Sequence, residues 1–433
     1  MVFHLVLQEF GMRLSKWFSR VALALALAGT VASVSAAEWT SWRGPKRDGI
    51  APEKGLQKEW SETGPPLVWK ADGYGNGYSS LAISQGIMVT MGQRKGGTAF
   101  VIGINQADGK EVWATEIGRG EPNCTPTIDG GLVYALGREG DLVCCNLKTG
   151  TVVWSKNYKK DFGGSMMSGW GYSESPLIDG DRLICTPGSN DAMIAALNKK
   201  TGEVIWKSTV PNLGSKGNGG AAYSSVVISH AGGVKQYVQL VGKGIVSVAA
   251  DDGRFLWNYN RIANGTANIP TPIVKDNFVF CSTGYGTGTA LLEIKKDGTG
   301  LVAEEKYFLN ADQMQNHHGG MVLIGDHVYC GHGHNNGFPL CIEWKTGKVV
   351  WGGKQRGPGS GSAAVLMADG NLYFRYEDGK MALIEATPSE YRLKGAFELA
   401  SKNGKSWPHP VIVDGLMYIR DHNTLLCYDV RAK

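Results

Sequence analysis

A Thr-Gly or Asp-Gly pair followed four residues later by tryptophan recurs along this chain: Asp108-Gly109…Trp113, Thr149-Gly150…Trp154, Thr201-Gly202…Trp206, Asp252-Gly253…Trp257 and Thr346-Gly347…Trp351. Short apolar runs ending in a polar residue precede these pairs, as in Leu142-Val143-Cys144-Cys145-Asn146 and Ile194-Ala195-Ala196-Leu197-Asn198, so the unit reads strand, tight turn, strand. A second marker keeps the register. A small or polar residue opens an apolar strand at Ser79, Thr125, Ser175, Ser224, Thr271, Gly319, Ala363 and His409, in steps of 46, 50, 49, 47, 48, 44 and 46 residues. Starts at so even a step, each with room for four short strands, predict an all-β chain folded as an eight-bladed propeller of four-stranded blades.

By length alone, 433 residues would hold two or three ordinary domains, but the repeat makes residues 67–433 a single array. The 61 glycines and 13 tryptophans, with no long helical-period stripe after residue 37, agree with an all-β chain rich in tight turns. The formal charge of +5 falls to about +3 once the first 37 residues are set aside, and no Lys/Arg run exceeds a pair. Nucleic acid is therefore not an expected partner.

Residues 1–37 carry a basic start (Arg13, Lys16, Arg20), an apolar centre from Val21 to Ala28, and small residues up to Ala37. That is the layout of a secretory signal, with Met12 the more natural start, and it predicts a periplasmic or secreted protein with no transmembrane segment. No cysteine at the cleavage region supports a lipid anchor. Residues 38–66 read as an N-terminal arm pinned to the propeller by tryptophans. Leu67-Val68-Trp69 looks like an outer strand without its blade, and Leu425-Leu426-Cys427-Tyr428-Asp429 like a blade lacking its outer strand. Their pairing is expected to close the ring and remove its free edges. A monomer is expected.

The repeated unit, apolar–Asp/Asn–x–x–Thr-Gly–x–x–x–Trp, resembles the pyrroloquinoline-quinone (PQQ) repeat of quinoprotein dehydrogenases and of the non-enzymatic BamB-type propellers of the bacterial envelope. The resemblance covers residues 67–433 and bears on fold more than on function. It implies a blade-docking role for Trp69, Trp113, Trp154, Trp206, Trp257 and Trp351. Blades five and seven lack the tryptophan. For a dehydrogenase it implies PQQ with a Ca²⁺ or lanthanide ion, an aromatic floor, an Arg or Lys at the quinone oxygens and a catalytic Asp. Trp170, Arg138, Glu174 and Asp191 are of the right types and are the cofactor-binding candidates; no catalytic residue is assigned. Methanol-oxidising members carry an adjacent-cysteine disulfide against the cofactor. Cys144-Cys145 instead falls inside a strand, where buried small apolar residues are expected. Cys330 and Cys341 flank one hairpin and are a pair to check for a disulfide.

Propeller loops from each outer strand to the next inner strand, and loops between second and third strands, gather around the funnel on one face, where ligands bind. The repeat assigns Tyr78, Asn123, Trp170, Tyr172, Glu174, Tyr223, Asn268, His317, His318, Trp407 and His409 to the first set. It assigns Arg94, Arg138, Glu139, Asp191, Lys243, Tyr285, His332, His334, Arg375, Glu377, Arg420 and His422 to the second. The densest cluster is His317, His318, His332 and His334, four of the nine histidines. These are the metal-ligand candidates, because converging neutral imidazoles hold transition metals. The alternatives are glycine-rich loops bonding their own backbone and a funnel for an organic ligand. No Gly-x-Ser-x-Gly elbow or Walker loop occurs. The leading expectation is a non-catalytic binding or scaffold module that holds a protein or small-molecule ligand on its funnel face. A PQQ-dependent dehydrogenase of alcohols or sugars, or an outer-membrane assembly factor of BamB type, are the alternatives.

Overall fold

The computed structural model describes residues 38–433 apart from Ser406; the leader and the start at Met12 lie outside the described residues. Eight sheets follow one another along the chain. Blade 1 is built from Ala82–Ser84, Ile87–Gln93, Thr98–Asn105 and Glu111–Arg119, each strand antiparallel to the next. Blades 2 to 6 repeat this order, with innermost strands beginning at Thr127, Leu177, Val227, Ile273 and Met321. The middle strands are packed on both faces by neighbouring blades. All six residues of Gln236–Val241 and of Gly244–Ala249 are buried, which is why these stretches read as nearly unbroken apolar runs rather than alternating ones. The outer strands are half exposed, as at Val152 and Val153.

The expected closure of the ring through its terminal strands needs correction. Leu67–Asp72 does pair with Thr424–Asp429 as the outer strand of blade 8, but no sheet is closed by hydrogen bonding. The eight sheets are separate, and each keeps an inner and an outer edge. Blades stack face against face, a geometry in which side chains meet and backbone ladders cannot continue. Nor is every blade four-stranded: Ile50–Ala51 adds a fifth, parallel strand beside Ala363–Ala368 in blade 7.

Two devices join neighbouring blades, and each explains one of the sequence markers. The turn glycine of one blade and the tryptophan of the preceding blade are two halves of one contact. Gly150 has φ +71°, and a Cβ there would lie 2.6 Å from the Trp113 ring. Only glycine gives both the left-handed turn and the space for the indole. Trp113 Nε1 then donates to Leu147 O (2.8 Å) and Trp154 Nε1 to Lys199 O (2.9 Å), each in the next blade. Trp69 lies on Gly109, Trp154 on Gly202 and Trp206 on Gly253, while Trp351 Nε1 donates to Thr387 O (2.8 Å). Trp257 differs: its Nε1 bonds Gln236 Oε1 of its own blade at 2.7 Å. In blade 5, Tyr307 takes the tryptophan's place, lying on Gly347 and donating to Trp344 O at 2.8 Å. In blade 7, Phe397 lies on Gly64, and Trp60 of the arm fills the space over Gly395.

The second device is a chain of hydroxyls at the axis. Ser80 N donates to Thr125 Oγ1 (3.0 Å), Thr125 N to Ser175 Oγ (3.3 Å), Ser175 N to Ser225 Oγ (2.9 Å) and Ser225 N to Thr271 Oγ1 (3.0 Å). Of the residues that mark the inner strands in the sequence, Thr125, Ser175 and Thr271 thus satisfy backbone donors that no ladder reaches, with Ser225 standing next to the marker Ser224; the chain of hydroxyls stops at blade 5.

The arm does more than lap over the ring. Trp39 pairs through its backbone with Ile83 of blade 1, and Thr40 O accepts from Ile128 N of blade 2. Arg47 donates to Ser175 O (2.6 Å) and Pro176 O (3.0 Å) of blade 3, and Arg43 to Met321 O of blade 6. Ile50–Ala51 joins blade 7, and Leu56 bridges to Arg431 beside blade 8. A segment touching the inner strands of so many blades lies across the axis and plugs it. Burial holds both guanidiniums at about 10, below their usual range yet still charged, with backbone carbonyls standing in for water.

Candidate active or binding site: the funnel cup

Above the plug, the loops enclose a cavity of about 380 Å³. Of the residues that the repeat assigned to the funnel, Tyr78, Asn123, Arg138, Trp170, Tyr223, Tyr285, His317, His318, His334, Trp407 and His409 line it. Trp42 of the arm contributes to its lining, and Glu121, Asn335 and Lys405 do too; the sequence reading missed these four. Trp42 lies outside the repeat. The other three lie on loops whose paths carry no period, and only the aromatic content of the arm hinted at Trp42.

One wall is a column of rings. Trp407 stacks on His318 (centroids 4.0 Å, planes 4° apart) and on Tyr78 (4.6 Å, 24°), and its Nε1 donates to Glu377. Next to it His317 packs against His318 (3.8 Å) and His334 (4.1 Å), with Tyr285 over both His317 and His334. Tyr285 and His334 have left-handed backbones, φ +54° and +55°, a conformation that costs a bulky residue energy and concentrates where a site dictates geometry. Both nitrogens of His317 are engaged, Nδ1 with Ser362 Oγ at 2.8 Å and Nε2 with Tyr285 Oη at 3.1 Å. Burial and the neighbouring imidazoles lower His317 to about 2, and burial with His334 and Lys405 nearby lowers His318 to about 3. Burial also lowers His332 and His334.

Three of the four candidate metal ligands therefore meet, and His332 does not join them at the cavity. It is buried, accepting from Gln315 N at 3.1 Å through Nδ1. Among the described residues no three His, Cys, Asp or Glu side chains are placed to hold a metal ion.

The cofactor candidates separate. Trp170 and Arg138 line the cup, but Glu174 is buried away from it, its Oε1 accepting from Tyr158 Oη (2.7 Å) and Thr186 N (2.6 Å). Burial raises the Glu174 carboxyl above its usual range. Asp191 is exposed and outside the cup lining. The quinone's ion needs converging carboxylates, and the cup lining offers one, Glu121. Cys144 and Cys145 are free thiols in the core, as are Cys330 and Cys341. The residues present thus do not fit PQQ with its ion: the carboxylate set is missing and the paired cysteines are elsewhere.

Residues 97–353, more than half of the chain, match the family described as outer membrane protein assembly factor BamB. The BamB of Yersinia pestis is 24% identical over 263 residues, which cover 54% of this chain and 60% of that protein. This chain thus spans less than two thirds of that relative. Among solved structures, BamB from Moraxella catarrhalis superposes with TM-score 0.59 at 14% identity, over 85% of this chain and 98% of that one. The quinohemoprotein alcohol dehydrogenase of Comamonas testosteroni does so with TM-score 0.62 at 12% identity, over 93% and 82%. At such identities the structural likeness bears on fold alone. By its match over residues 97–353, the chain belongs to the BamB family of PQQ-like propellers.

Proposed function

We propose that this propeller is a non-catalytic recognition module of the cell envelope, periplasmic or secreted, that captures a small molecule or a partner's side chain in the funnel cup. The observation that carries the reading is the cup itself: a dead-ended cavity walled by stacked rings, in which His317 is bonded through both ring nitrogens and burial holds His317 and His318 well below the usual imidazole range, too weakly basic for proton transfer near neutral pH. Aromatic walls with a few fixed polar groups are the usual make-up of a ligand site. A scaffold role in outer-membrane protein assembly, named for the relatives, is the second reading, supported by the family match. The dehydrogenase reading lacks the donor set that it requires. No helix among the described residues is long and apolar enough to cross a membrane.

Titration of the purified protein with PQQ in the presence of Ca²⁺ or a lanthanide, followed by quinone absorbance and tryptophan quenching, tests the reading. No saturable binding is expected. Saturable, metal-dependent PQQ binding would replace it with the dehydrogenase.

A further inference from the structure

The cup's chemistry narrows what it can hold, given its reading as a recognition site. Its lining carries two cations and one carboxylate, Arg138, Lys405 and Glu121. Arg138 is fixed in place. Its side chain lies across two loop glycines, so that a Cβ on Gly120 would come within 2.6 Å of its Cδ, and Nη2 donates to Gly169 O at 3.1 Å. Its ion-pair partner, Glu139, approaches Nε only to 3.9 Å. A neutral guest offers the two cations only hydroxyl or carbonyl oxygens, weaker acceptors than an anion. A carboxylate returns a charge-assisted pair.

Rings and small polar groups share the rest of the lining. The Trp170 side chain is 57% exposed at the cup, and its backbone is tied on both sides. Asn123 Nδ2 donates to Trp170 O (3.1 Å), and Trp170 N donates to Tyr223 Oη (3.4 Å). Ser173, Asn335 and the Glu121 carboxylate also line the cavity. An aromatic acid would cover these groups and leave them without partners. A guest bearing ring hydroxyls pairs with them, and its C–H face suits the electron-rich face of an indole. The cavity, about 380 Å³, is near the small end of ligand pockets, and the arm closes its far side.

We infer that the cup is a receptor for an acidic monosaccharide, a hexuronate free in solution or at a chain end. Its carboxylate lies at Arg138 and Lys405, its C–H face on Trp170 and its hydroxyls toward Glu121.

Isothermal titration of the purified full chain with galacturonate, glucuronate, the matching neutral hexoses and benzoate tests this, with NMR of each guest afterwards. The uronates are expected to saturate at least tenfold more tightly than the hexoses or benzoate, and Arg138→Met to weaken them at least tenfold. Lys405→Met, at an exposed position, should weaken them severalfold and keeps the test readable if Arg138→Met does not fold. Equal binding of neutral hexoses, preference for benzoate, or no saturable heat from any guest overturns the hexuronate assignment. None of these touches the recognition reading, which the PQQ titration decides separately. Chemical conversion of a uronate overturns both.

Discussion

Replacing Trp39 by alanine is expected to remove about 3–5 kcal/mol of stability, the range for truncating a large buried aromatic. The side chain is 1% exposed and belongs to the core cluster that includes Leu81, Ile83, Leu366 and Val411, drawn from three different blades. Gly44 curls over it, so that a Cβ there would lie 3.0 Å from the indole. Loss on this scale from a residue outside the repeat would mean that the arm is part of the core. Urea denaturation at neutral pH measures it. A cost below about 1 kcal/mol, typical of a surface residue, would mean that the arm merely lies on the ring.

The second large effect is a loss of stability as the pH falls from 7 to 5. His317 and His409 are buried and lowered to about 2 and about 3, His409 by burial and by the Arg43 guanidinium. A folded value below the unfolded one means that the unfolded chain takes up protons first. The stabilisation is complete above the unfolded value near 6.5 and is lost as the pH drops toward the folded values. Each imidazole is worth about 2 kcal/mol between pH 7 and pH 5 at 1.36 kcal/mol per unit. His318, half-buried and also lowered, adds a smaller share. Glu174 works in the opposite sense, because burial raises its carboxyl and favours its protonated form, but that acts mainly nearer the ordinary carboxylate range. Urea midpoints at pH 7, 6 and 5 are expected to fall steeply, and His409→Gln to reduce the slope by about one proton. A flat profile would mean that these imidazoles are hydrated and the cup's wall is open.

Much of the architecture was legible because it is periodic. The Gly–Trp pairs and the small residues opening the inner strands mark contacts repeated from blade to blade, so each copy reinforces the others. Blades 5 and 7 hid their docking rings for local reasons. The hairpin Gly288–Asp297 and Gly300–Asn310 is longer than its counterparts, so Tyr307 falls nine residues after Gly298 rather than four. In blade 7 the docking is divided between Phe397 and Trp60, which the arm brings from far away in sequence. The cup was read in part, since counting along the repeat finds which loop a residue belongs to but not which way it faces. Trp170 and Tyr223 turn into the cavity, whereas Tyr172 and Glu174 turn into the core, where Tyr172 donates to Pro187 O at 3.0 Å. The arm carries no period, and its place at the axis follows from contacts with many blades at once. No local pattern records those.

The floor decides whether a cup exists at all, because without the arm in the axis the funnel is an open channel. Native-state hydrogen exchange of the arm's amides tests this most directly. Trp39 N bonds Ile83 O at 2.9 Å and Gly49 N bonds Arg43 O at 3.0 Å, both deep in the ring. These amides are expected to exchange as slowly as those of the inner strands, through global unfolding. Exchange within minutes, as in a free loop, would show the arm unseated and contradict a closed recognition cup.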